Sequence, residues 1–241
     1  MGECLNLRHS SGQHSMNYPS YIRPLPSRAT RKPAARSKAS SRGHIPGQTR
    51  QDGHLRLRYF ESKQEQNVLF QLLAHQDVMD IWDQPPPVHF RDAEGRRKTH
   101  TFDYLITLTG GRRIAIAVKP AAVAERQGFR ETLQRVRAAT PLRFADEVVL
   151  ITEQNYCPSA ARNAQKLHDF RRTPDPEADK IVTELVHDMS SPTSIAELVQ
   201  RSGLGGRAFR AIFRAIFAGI LRTVDSGDIL PSTLIMQEIG Q

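Results

Sequence analysis

The chain is short of sulfur, of long apolar runs and, over its first fifth, of acid. Two cysteines, Cys4 and Cys157, occur in 241 residues. They cannot build a disulfide framework or a zinc site by themselves, so a reducing compartment is the expectation. No apolar run reaches the roughly 20 residues of a membrane helix, and no membrane contact is expected. The N-terminus lacks the apolar region of a secretory signal, which favours a cytoplasmic location. Its Arg/Ser-rich, acid-poor composition is also that of an organellar transit peptide. No internal repeat is visible. Gly203-Leu204-Gly205-Gly206 is not a phosphate loop, because no strand precedes it and no Lys-Ser/Thr follows. The nine histidines show no metal-ligand spacing, although His89 and His100 lie near the strands treated below.

The missing acid decides where the charge sits. Residues 1–50 hold nine Lys/Arg against one acid, Glu3, and so carry eight of the nine net positive charges. The segment has few apolar residues and many Pro, Ser and Gly. A disordered basic tail over 1–54 follows, in which Tyr18, Tyr21 and Ile22 are a small apolar cluster. A polyanion such as DNA is its natural partner through counterion release, and a merely solvated tail is compatible with that.

Order is expected from about Leu55. The alternation over 55–60 reads as a short strand. Ser62 then caps a helix to about His75, with Val68, Leu69, Leu72 and Leu73 as its apolar stripe. Val78, Met79, Ile81 and Trp82 read as a strand broken by Pro85-Pro86-Pro87. Another strand starts at 88–90, before a turn at 92–95. A single helix is expected from 122 or 125 to 138, stopped by Pro141. The run 147–152 reads as a strand buried on both faces. Pro158 opens a helix to about 172. This order predicts an α/β sandwich around a mixed sheet over 55–172. Past a Pro-rich linker, helices are predicted at 178–189, 194–202 and 206–218, and strands at 220–224 and 231–235. Three helices and a β-hairpin make a winged-helix pattern over 173–241. Arg207, Arg210 and Arg214 share one face of the third helix. That face suits a DNA groove or a protein partner equally well.

The chemistry concentrates between Lys98 and Ala122. Two β-rich runs, 98–108 and 113–120, flank Thr109-Gly110-Gly111-Arg112 and read as one hairpin. Antiparallel pairing sets Asp103 opposite a residue near 118 or 119. One register puts Asp103 and Lys119 side by side, and a slip of one residue splits them. Glu65, in the first turn of the preceding helix, is a second carboxylate at the edge of the buried face. Two acids and a lysine are what metal-assisted phosphodiester cleavage needs: the acids hold the ion and the lysine serves the attacking water. Two plainer readings stand beside this. Asp103 and Lys119 make a cross-strand ion pair, and Glu65 closes a capping box with Ser62.

Ser62-x-x-Glu65, Asp80-Ile81-Trp82-Asp83-Gln84-Pro85, Thr101-Phe102-Asp103-Tyr104-Leu105 and Ile116-Ala117-Val118-Lys119-Pro120-Ala121-Ala122 together resemble the TnsA family of transposon-end endonucleases. The resemblance spans roughly residues 55–155 and continues more weakly to the C-terminus. It implies a restriction-endonuclease-like fold followed by a winged-helix-like domain. By position, Glu65 and Asp103 match the family's metal-binding acids, and Lys119 its catalytic lysine. The family's acid or glutamine two residues before the lysine is here Ala117, which leaves the Val118 carbonyl as a further oxygen for Mg²⁺ or Mn²⁺. The partners implied are transposon-end DNA, a TnsB-like DDE transposase and a TnsC-like AAA+ ATPase. A catalytically idle DNA-binding or adaptor subunit, or a host repair or resolvase-type nuclease, are the alternatives.

Overall fold

A computed structural model describes residues 22–31 and 41–238. They form a mixed α/β structure with seven α-helices and several sheets. The central sheet has the order β3 (Val78–Asp83), β6 (Tyr104–Leu108), β7 (Arg113–Val118) and β8 (Glu147–Ile151). Its first two pairings are antiparallel, and β7–β8 is parallel. Apolar side chains alternate across it, so each face builds a core. Tyr104 and Ile116 look toward α1 (Lys63–Ala74) and α4 (Pro158–Arg171), while Leu105, Ala115 and Ala117 look toward α3 (Phe129–Ala139).

Several elements fall where the periodicity predicts them. Helix α1 is capped by Ser62, whose Oγ accepts from the Glu65 N–H. Pro158 opens α4. Others differ for local reasons. The expected single helix after Pro120 is two, α2 (Ala121–Arg126) and α3, because Gly128 takes a left-handed φ of 56°. The run 98–108 is split as well. Residues 97–100 form β5 (Arg97–His100), which pairs with β4 (Val88–Arg91) in a ribbon of their own, and only β6 joins the central sheet. Strand β8 is an edge strand with Val148 alone fully buried, rather than a strand covered on both faces.

The largest correction concerns the expected tail. Order begins well before Leu55. Strand β1 (Gly43–Gly47) pairs along the whole of β2 (Arg56–Phe60), and Leu25 bridges to Arg56. Glycine at 43 and 47 lets the Phe60 and Leu73 side chains lie against this strand. A Cβ at Gly43 would lie 2.8 Å from the Phe60 ring, and one at Gly47 2.7 Å from Leu73. Residues 25–31 then run as a strap beside β3. The Ser27 hydroxyl donates to Asp83 (2.5 Å), Arg28 pairs with Asp80 (2.6 Å), and the Thr30 N–H donates to the Gln84 carbonyl (3.0 Å). Asp80 and Asp83 are buried carboxylates, which are costly without partners. The polar strap supplies them. The rest of the predicted tail, including Tyr18 and Tyr21, lies outside the described residues.

Beyond residue 175 come α5 (Pro176–His187), α6 (Ile195–Ser202) and α7 (Gly206–Phe217). A small sheet follows in the order β10 (Leu221–Thr223), β11 (Leu234–Gln237), β9 (Thr193–Ser194). Its second strand starts three residues later than predicted, and β9 was not foreseen. Leu69, Leu167 and Phe213 belong to one buried cluster, so apolar packing is continuous from α1 through α4 into α7. Among the described residues no helix is long and apolar enough to cross a membrane.

If 43–47 is structural, removing residues 1–54 strips β2 of its partner and uncovers Ile45's neighbours. Burial of one large aliphatic side chain is worth about 1.5–3 kcal/mol. Thermal melting of the truncated chain is therefore expected roughly 6–12 °C lower once the strap's ion pairs are also lost. An unchanged melting temperature would mean that this segment is the inert tail its composition suggests.

Candidate active site

The predicted hairpin is tighter than either register considered above. Leu108 N–H donates to the Arg112 carbonyl (2.8 Å), and Tyr104 pairs with Ile116. One step outward the regular pairing ends: the Asp103 N–H donates to the Ile116 carbonyl (3.0 Å), so Asp103 lies beside Ile116 rather than opposite 118 or 119. Asp103 sits at a bend just before β6 and turns its carboxylate onto the end of β7, where Oδ2 accepts the Val118 N–H at 2.6 Å. In a strand, one residue's N–H and C=O leave on the same edge. The Val118 carbonyl therefore opens toward Asp103.

Glu65 meets this corner from α1. Its Oε2 accepts the Glu61 N–H (2.7 Å), and its Oε1 accepts the Ser62 hydroxyl (2.9 Å). Ser62 caps the helix and its hydroxyl holds the Glu65 carboxylate at the helix mouth, but the return bond of a capping box, from the Ser62 N–H, is replaced by one from the Glu61 N–H. Tyr104, fully buried, donates its hydroxyl to the Glu65 carbonyl (3.1 Å) and ties α1 to the sheet beneath the acids. Burial, and then the charge of Glu65, push the Asp103 carboxyl up to about 8; the Val118 N–H and Arg31 offset part of this. Burial also raises Glu65, against the Glu61 and Ser62 hydrogen bonds. Glu65, buried, and Asp103, half-buried, thus come near enough for the charge of Glu65 to disfavour ionised Asp103.

Lys119 is not brought to them. Its ammonium lies 4.7 Å from the centre of the Phe129 ring and 3.4 Å from Gln127 Oε1. Among the described residues it makes no ion pair with either acid. The expected Asp103–Lys119 cross-strand pair is therefore absent: the Asp103 N–H bonds the Ile116 carbonyl, its carboxylate takes the Val118 N–H, and Lys119 packs on Phe129. His100 lies beside Lys119; burial and then the lysine's charge lower it to about 4, so the imidazole is neutral near pH 7. Ala117 is buried in the core facing α3 and offers no ligand.

Three neighbours were not among the expected site residues. Arg31, at the end of the strap, pairs with Glu61 (2.7 Å), and its charge favours ionised Asp103 and Glu65. Gln84 is a buried non-glycine residue at φ 45°, and its N–H donates to the Asp103 carbonyl (2.9 Å). Such backbone strain costs about 1–2 kcal/mol and gathers at functional sites. Glu153 accepts the Ala121 N–H (3.0 Å) at the start of α2. For Gln84 a hint existed, since a residue before proline is steered out of the helical region.

A search of protein-family models and one of curated proteins each found no match to this chain. Among the described residues no three His, Cys, Asp or Glu side chains gather as a metal cluster. The donors offered are two carboxylates and the Val118 carbonyl edge. All are hard oxygens, and a divalent cation would offset the Glu65 charge that raises Asp103, so the residues fit Mg²⁺ or Mn²⁺. A cleft of about 800 Å³ lies elsewhere, between α1, α4 and β1, and no carboxylate lines it.

The expected basic face of α7 is largely consumed inside the fold. Arg207 pairs with Asp175 (2.7 Å) and Glu177 (2.5 Å), and Arg214 with Asp179 (2.5 Å). The acids surround the start of α5, so these arginines dock one helix on another. Of the three, Arg210 alone has no ion pair among the described residues.

The raised carboxyls fix a sign. A carboxyl whose folded pKa exceeds its unfolded value favours folding below the unfolded value, near 4 for Asp. That contribution is lost as pH rises through the folded value. Relative to Asp103→Asn, which keeps an oxygen for the Val118 N–H, the wild-type chain should lose stability between pH 4 and 8 in metal-free buffer. Denaturant titration of both proteins across that range measures it. Parallel curves would mean that Asp103 ionises without penalty.

Proposed function

We propose that the protein is a divalent-metal-dependent DNA endonuclease of the TnsA type, cutting a phosphodiester at transposon ends beside a DDE transposase. The observation that carries the reading is the Glu65–Asp103 pair at the end of β7, with Asp103 pushed up to about 8. Carboxylates held together against their repulsion are a poor structural device and a good cation site. A central mixed sheet with helices on both faces is compatible with a restriction-endonuclease-like core. Helices α5–α7 with the sheet β10-β11-β9 are compatible with a winged-helix-like unit.

In this reading Glu65, Asp103 and the Val118 carbonyl hold Mg²⁺, which supplies Lewis acidity toward a phosphate oxygen. Glu65 is steered by Ser62 and the Glu61 N–H, and Asp103 by the Val118 N–H, so neither carboxylate has to reorganise. Lys119 stands next to Val118 on a flexible four-carbon stem. Released from Phe129, its ammonium reaches the phosphate and offsets the charge that develops there. Neutral His100 adds no competing positive charge. The partners are transposon-end DNA, a TnsB-like transposase and a TnsC-like ATPase.

A second reading is favoured by the parked lysine and by Ala117: an idle relative that keeps the architecture and serves as a binding subunit. One assay separates the two. With transposase and Mg²⁺ or Mn²⁺, wild type is expected to nick end DNA. Asp103→Ala and Lys119→Ala are each expected to lose about 10²-fold or more, as when one electrostatic group is removed from a reaction centre. Variants that cut as well as wild type would refute the site, and a wild type that never cuts would support the idle subunit.

A further inference from the structure

The ribbon of β4 and β5 is rooted at the acid pair. It leaves the sheet just after Gln84, whose N–H holds the Asp103 carbonyl, and returns at His100, three residues before Asp103. One face is bound down: Val88 and Phe90 join the core under α3, and the His100 ring packs on Phe102 (4.8 Å between centres). The other face carries the cross-strand pairs His89–Thr99 and Arg91–Arg97, all exposed. It has no apolar side chain with which to dock a protein.

Arg91 and Arg97 stand directly opposite each other, an arrangement that destabilises a strand pair. The nearby acids give no relief, because Asp92 and Glu94 both pair with Arg96 (2.8 and 2.6 Å). Arg91 reaches only the Gly95 carbonyl (2.7 Å). Arg97 makes no ion pair or side-chain hydrogen bond among the described residues, and neither does the adjacent Lys98. A fold that retains an uncompensated pair of guanidiniums on a clean polar face is set for an anion outside itself. Phosphate oxygens suit paired guanidiniums. A two-stranded ribbon also fits the major groove, which is about 12 Å wide. At about 3.4 Å per residue the pair stands on the order of 10 Å from the ribbon's root, about three base-pair steps.

We propose that the β4–β5 ribbon is a duplex-DNA arm, its Arg91–Arg97 pair closing on backbone phosphates beside the bond presented to Glu65 and Asp103. The placement beside a scissile bond rests on the nuclease reading, whereas the duplex contact does not. The test is fluorescence anisotropy of a labelled duplex with the full chain in metal-free buffer at several salt concentrations. The double variant Arg91→Ala/Arg97→Ala is expected to bind about tenfold more weakly, with a salt slope shallower by about two, close to 0.9 per phosphate lost. Arg97→Glu gives Arg91 a cross-strand partner. It should melt no lower than wild type and bind duplex more weakly still, so lost folding cannot imitate lost contact. Wild-type affinity and slope in both variants would overturn the proposal, as would a loss seen only with single-stranded DNA. Nicking by wild type together with undiminished binding by the variants removes the arm and leaves the nuclease. Ribbon-dependent binding by a chain that never nicks does the reverse.

Discussion

The charge of Glu65 works against an ionised Asp103, and nearly every element around the end of β7 bears on that repulsion. The first turn of α1 supplies Glu65 together with the Ser62 hydroxyl and Glu61 N–H that hold it. The end of β7 supplies the Val118 N–H that holds Asp103. The strap brings Arg31 to Glu61, whose own charge adds to the strain on both acids. Tyr104 lies beneath, a phenol whose burial keeps it protonated and donating to the Glu65 carbonyl. Each contact is modest, about 0.5–1.5 kcal/mol net for a hydrogen bond and more to a charged group. Together they fix two acids in a place where packing alone would have put apolar side chains.

The same economy of polar partners explains the N-terminal strap. Strand β3 carries buried acids at Asp80 and Asp83 on one side of the break at Gln84, and Arg28, Ser27 and the Tyr59 N–H answer them. Arg58, wholly buried, pairs with Asp52. The polar residues of 22–31 are therefore structural, and they link β2, β3 and the acid corner. At the other end, α5 and α7 are joined by Asp175–Arg207 and Asp179–Arg214. Arg207 holds the Asp175 carboxyl well below the usual range. A basic helix face is in this case an internal fastening.

The central elements were legible because their signals are local. Ser62 before an apolar stripe, Gly110-Gly111 between β-branched runs and Pro158 at a helix start each act within a few residues. What stayed hidden depends on distant partners. Gly43-His44-Ile45-Pro46-Gly47 has almost no strand character by itself; β2 and the close approach of Phe60 and Leu73 make it one. The register of β6 and β7 turned on whether the loop holds three residues or more, and one residue decides which side chain stands level with Asp103. The direction of Lys119 was open for a related reason: Phe129 attracts its ammonium only because Gly128 breaks the expected helix and starts α3 there. The pairing of Glu65 with Asp103 was foreseen as chemistry. The loss of solvent that raises both acids is a property of the assembled core.

If the proposed function is right, Glu65 and Asp103 share a site that holds a proton when empty and a divalent cation when filled. The most direct measurement is calorimetric titration of the full chain with Mn²⁺ near pH 7 in buffers of different ionisation enthalpy. Proton release accompanies metal binding when the ligands start out protonated. Wild type is expected to bind Mn²⁺ and release about one proton, as a carboxyl with a pKa of about 8 requires, and Asp103→Asn to do neither. Equal binding by the two proteins, or binding whose heat is the same in every buffer, would contradict it.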